Sequence, residues 1–258
     1  MNNEISRALT LGGAAALLLL TAGCSGAGSS SADSDFLKVE AVSQTFPYTG
    51  QTLTIDAGTA DLIITSGKGN EVQADSQATG SANSKNPEVT ESLDGDTLTL
   101  AVNCDGLALG CKGRFTVTVP EGVAVIAQNK NQQITVTDFA ADLTVSAVNG
   151  TAKLSQISSP TLILDGKDME VTGTDLSVKT VLADTRNGSV DLTFSDAPDK
   201  VTVDSNDGNV SLVLPDTDYL VETAAKKEKI NVTVAESDSS SRVISVTVRN
   251  ADIAVVTE

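Results

Sequence analysis

Asp184 and Asp204 are the pair of side chains whose spacing could do chemistry together. Each stands four residues before a glycine, Gly188 or Gly208, in "DTRNG" and "DSNDG". If those segments stack in register, the carboxylates fall about 4.8 Å apart, one strand spacing. Carboxylates that close can share a proton, hold a weakly bound cation, or divide the acid and nucleophile roles of a glycosidase. Aspartate before a turn also has a plainer use, because its side chain bonds nearby backbone. The plainer reading is preferred, with Asp184 and Asp204 kept as a candidate weak cation site. The chain has no His, which removes Ser–His and Cys–His nucleophiles. No phosphate loop, dinucleotide fingerprint or zinc spacing occurs, nor does the Gly/Asp nonapeptide of calcium-binding β-rolls. The expectation is no catalytic residue, no metal and no cofactor.

Three cysteines remain to be placed. Cys104 and Cys111, in "CDGLALGC", have six residues between them, including Gly106 and Gly110 to let a short loop close. Outside the cytoplasm such a pair forms a structural disulfide, contributing about 2–3 kcal/mol by the chain-entropy argument. A redox-active pair favours tighter spacing beside positive charge.

The elements that must position these residues are strands. Apolar and polar residues alternate in "TLTI", "DLIIT", "TLTLAV" and "RFTVTV", bounded by Gly, Asn, Asp and Pro. No helical period follows residue 35, and the reading is all-β. After Pro120 a turn signal precedes a short alternating arm six times over. Gly150, Gly166, Gly188 and Gly208 lie 16, 22 and 20 residues apart, with Lys227 at the next step. A loose period near twenty suggests one coil per repeat, each covering its neighbour's apolar face. Asn-Gly and Asp-Gly are also hairpin signals, so a β-sandwich of hairpins competes with a parallel β-solenoid. In the solenoid, Val145, Leu164, Val190 and Val210 would stack into aliphatic columns. Periodicity alone leaves both open.

The N-terminus carries an address. Ala8 to Leu20 is an apolar run of thirteen residues, too short for a bilayer and suited to a signal-peptide core. It ends in "LTAGC", Leu20 to Cys24, which resembles the lipobox of bacterial lipoproteins. The resemblance implies that residues 1–23 are removed and that Cys24 carries a diacylglycerol. The Ser/Gly run that follows reads as a tether reaching about 20 Å. The expected organisation is signal peptide 1–23, lipidated cysteine and tether 24–35, and one β-repeat domain 36–258. The expected location is the cell membrane, lipid-anchored and facing outside the cytoplasm.

Formal charge is −17, a field that repels phosphate backbones and sets nucleic acid aside as a partner. Lys226, Lys227 and Lys229 make the densest basic patch, too small to outweigh the acid around it. Aromatics are 3% of the chain, without Trp, so the core must be aliphatic and a sugar-stacking platform is disfavoured.

"LTIDAGTADLIITSG", "FTVTVPEGVAV" and the repeats with Asn/Asp-Gly turns together resemble the bacterial "putative adhesin" β-strand-repeat family, of unknown function. The resemblance implies a β-solenoid-like fold, either a parallel β-helix or a rolled sheet. The functional expectation is an adhesin-like interaction or scaffold module of the cell envelope, with an unidentified envelope or surface partner, and not an enzyme. The competing expectation is a β-helix enzyme acting on envelope polysaccharide through stacked carboxylates.

Overall fold

The computed structural model describes residues 36–38, 41–81, 87–104, 111–226 and 229–257. Alternation of apolar and polar side chains produces strands with one face in and one face out. The strand Asp61–Gly67 buries Leu62 and Ile64 completely and leaves Asp61, Ile63 and Thr65 partly exposed. Such a strand cannot hide its apolar face alone, so successive strand pairs stack as rungs of a parallel β-solenoid.

Each rung has a first arm, a corner and a second arm. First arms pair in parallel from Thr52–Asp56 through Ala124–Asn129, the early halves of Leu143–Ile157 and Thr161–Leu176, then Thr180–Thr185 and Lys200–Ser205. Second arms form the facing sheet from Asp61–Gly67 through Gln133–Phe139, the later halves of the same long strands, then Val190–Phe194 and Val210–Leu214. Between the sheets lie unbroken aliphatic columns. Leu53, Val125, Leu143, Leu162, Val181, Val201 and Ile244 follow one another in register, each at most 1% exposed.

The repeats are therefore solenoid rungs, and hairpins are confined to one end. There Glu88–Asp94 and Thr97–Asn103 pair antiparallel around Gly95, whose φ is 56°. Glu71–Ser81 also runs antiparallel to Lys112–Pro120 and to Val42–Pro47.

The expected column splits in two. Val145 and Leu164 are partners in the first sheet, whereas Val190 and Val210 are partners in the second, following Val171. The register also moves. Gly150 lies opposite Met169, not Gly166, so the corners fall at 150, 169, 188 and 208, spaced 19, 19 and 20. Met169 replaces the corner glycine and turns its side chain fully into the core. Glycine elsewhere on this corner answers to crowding by the next rung. A Cβ on Gly188 would strike the carbonyl of Met169, and one on Gly208 the carbonyl of Gly188.

Both ends depart from chain order. The 97–120 rung is separated from the 124–139 rung by 52–67, which pairs with both. At the other end, the period near twenty places 220–232 after 200–214. Instead 243–257 lies between them, pairing with the arms of both. Lys227 itself lies outside the described residues.

Gly188→Ala should destabilise the fold by roughly 1–3 kcal/mol, the cost of forcing an atom into packed surroundings. The urea-unfolding midpoint measures it; an unchanged midpoint would mean that the rungs separate freely at this corner.

Candidate interaction surface

Because the rungs stack in register, outward residues form rows as regular as the core columns. Asp184 lies opposite Asp204, and the structure adds Asp165 opposite Asp184. Asp165 stands four residues before Met169, the same offset as the other two from their corner glycines. Taking Gly166 for the corner hides that equivalence. Ser146 continues the row on one side and Thr247 on the other.

Two further rows flank the acids. On one side run Thr144, Ile163, Leu182 and Thr202, with Leu182 38% exposed. On the corner side the row runs Lys130, Val148, Lys167, Arg186, Asn206 and Arg249, four cations interrupted by the half-exposed Val148 and by Asn206. Lys167 Nζ lies 3.6 Å from Asp168 Oδ2. Small residues at Ser146, Ala147 and Gly166 leave the surface recessed between these rows. The result is a shallow trough of adjoining hollows. One, of about 320 Å³, reaches from Asp56 to Lys167, and the next extends through Asp184 to Thr202 and Asp204.

Beyond the cations, the corner is stitched by polar side chains that the sequence reading treated only as turn residues. Asn149 sits between Asn131 and Asp168. With its nitrogen facing the carboxylate, it donates to Asp168 Oδ2 at 2.9 Å. Asn187 Nδ2 donates to the other oxygen of Asp168, and Asn250 Nδ2 donates to Asp207 Oδ1 at 2.7 Å. The readable signal was Asn or Asp at the residue before each corner position.

Cys104 and Cys111 are joined, with their Cα atoms 6.3 Å apart. The bond ties the two arms of the outermost 97–120 rung, just beyond Asn103 and just before Lys112. Cys24 lies outside the described residues. Among the described residues, no helix is long and apolar enough to cross a membrane.

The three aspartates share one open face, so no difference in burial separates an acid from a base among them. No three His, Cys, Asp or Glu side chains among the described residues are grouped to hold a metal ion. Burial pushes the Tyr48 hydroxyl up to about 12, helped by its hydrogen bond to Asp96. Burial also raises Asp191, with Glu170 adding repulsion. Glu91 points inward between Val89 and Leu93 on the end strand. Its carboxyl is raised chiefly by burial; the nearby Ser76 hydroxyl opposes the rise and the charge of Asp75 adds to it, and neither carboxyl oxygen has a hydrogen-bond partner.

A family model described as Toastrack DUF4097 matches residues 51–214. A solved structure named a "putative adhesin" from Bacteroides fragilis resembles the fold with a TM-score of 0.50 at 11% identity. The likeness covers 85% of this chain and 97% of that one. A "putative cell adhesion protein" from Clostridium sporogenes is 13% identical, covering 85% of this chain and all of that one, with a TM-score of 0.34. No curated protein matches the chain.

Two outcomes follow from this electrostatic layout. Like charges directly opposite on neighbouring strands repel, so Asp184→Asn should raise the urea midpoint at low salt, and added salt should shrink the gain. A loss of stability would mean that the row is held by a bound cation. Glu91 behaves oppositely to a paired acid. With its folded value above the ordinary 4.5, its favourable contribution is present below that value and disappears as pH rises through the raised one. Glu91→Gln should therefore gain stability over the parent between acid and neutral pH, read from paired denaturation curves. Parallel curves at all pH values would show that Glu91 is solvated.

Proposed function

The chain belongs to the Toastrack DUF4097 family, and from that premise we propose that it is a lipid-anchored protein of the cell envelope, held through Cys24. Its solenoid acts outside the cytoplasm as an adhesin-like interaction or scaffold module and meets its partner through the trough on the first sheet. The observation that carries this reading is the trough itself. It extends over successive rungs, with an acid row between a partly apolar row and one that carries four cations, and offers a long patterned face rather than a closed cleft around a few reacting groups. The shared fold with a structure named an adhesin supports the same reading. The "LTAGC" stretch and its Ser/Gly tether support the anchor.

The test uses complemented cells. Cys24→Ser should remove the lipid label and release the chain from the membrane fraction. A mutant that keeps both would overturn the anchor. Asp184→Asn with Asp204→Asn should weaken partner capture by in-cell crosslinking, in part and in a salt-dependent way. If the double change instead abolishes function in a chain that folds normally, stacked carboxylates acting on envelope polysaccharide become the better explanation.

A further inference from the structure

The outer face of the second sheet has a different character. Thr118 lies opposite Thr65, Thr65 opposite Thr137, Thr137 opposite Ser155, and Ser155 opposite Thr174. After an irregularity in register the row passes to Thr193. Five neighbouring strands thus present a hydroxyl in register, and a sixth follows past the irregularity. Five strand spacings make the row about 24 Å long. Beside it runs a second row two residues earlier, Thr116, Ile63, Thr135, Lys153, Thr172 and Asp191.

Strand propensity explains threonine on an outer face, but it applies equally to both sheets. On the corresponding rungs the first sheet carries Thr99, Asp56, Gln128, Ser146, Asp165 and Asp184 in one row. A row made of hydroxyls alone belongs to the second sheet.

Each of these side chains donates one hydrogen bond and accepts up to two. Thr137 and Ser155 bond each other at 3.1 Å, which fixes their rotamers and leaves acceptor capacity facing out. A partner suited to the row must itself be extended, rich in hydroxyls, and periodic at nearly one strand spacing. Extended β-1,4-linked polysaccharides meet all three conditions, since they advance by one sugar ring over close to that distance. We propose that the Thr118–Thr193 row is a recognition strip for an extended β-1,4-linked glycan lying along the stack, about one sugar per rung. Lys153, Asp191 and Thr172 in the second row are placed to reach ring substituents. The scarcity of aromatic residues is consistent with this mode, which uses repeated hydrogen bonds instead of stacking. Its affinity comes from many weak contacts acting together.

The proposal is independent of the trough on the first sheet, and co-sedimentation separates the two. The full chain in detergent is mixed with amorphous β-1,4-glucan, chitin, murein sacculi, or α-1,4-linked amylose as the mismatched repeat. The expected result is capture by at least one β-1,4 polymer, little by amylose, and little change from low to high salt. Thr65→Val with Thr137→Val and Ser155→Ala keeps shape and strand propensity while removing three hydroxyls. It should weaken capture roughly tenfold or more at a normal urea midpoint. Should that triple change unfold the chain, Thr118→Val with Thr174→Val at either side of it serves the same purpose. Asp184→Asn should leave glycan capture unchanged. Absence of capture by every β-1,4 polymer, equal capture by amylose, or undiminished capture by a folded hydroxyl-free variant would overturn the proposal.

Discussion

Everything in this structure follows from one constraint: each rung hydrogen-bonds to the next in parallel register, about 4.8 Å away. At that distance a residue's nearest neighbour across the ladder is its own equivalent one repeat later. Like therefore meets like. Valine on leucine makes a column that excludes water, asparagine on aspartate makes a bonded ladder, and aspartate on aspartate makes a row of repelling charges. The corner obeys the same spacing. Two backbones one strand apart leave no room for a Cβ at Gly188 or Gly208, and Met169 fits only by turning inward.

That constraint explains how much the sequence disclosed. Alternation marked the strands because burial is decided residue by residue, as Leu62 and Ile64 against Asp61 and Thr65 show. The solenoid was legible once the period near twenty was read together with the family resemblance. The exact register was not, because glycine was taken as the marker of the corner. Gly166 is a small residue under a recessed surface, and the corner it seemed to mark belongs to Met169. Asp165 was lost with it. The ends were hidden for another reason. Nothing in the local pattern of 220–232 or 243–257 says which of two similar rungs will cover the other, since both carry an apolar face of the same period.

The two sheets use the same repeat for different surfaces. On the first, charges of both signs run in adjacent rows, and small residues hollow the ground between them. On the second, neutral hydroxyls hold one position across five strands and recur on a sixth past a shift in register. A fold that copies each outward side chain at a fixed interval turns a single substitution into a defect in a line. A surface built this way reads length and periodicity in whatever it contacts.

The C-terminal end carries a consequence of its own. The rung 243–257 follows 220–232 in the chain but precedes it in the stack, lying between 200–214 and 220–232. Order of assembly therefore cannot copy order of synthesis. At one end 52–67 must receive 97–120 on one side and 124–139 on the other, and at the other end the arms of 220–232 join the stack only once 243–257 has been made to lie between them and 200–214.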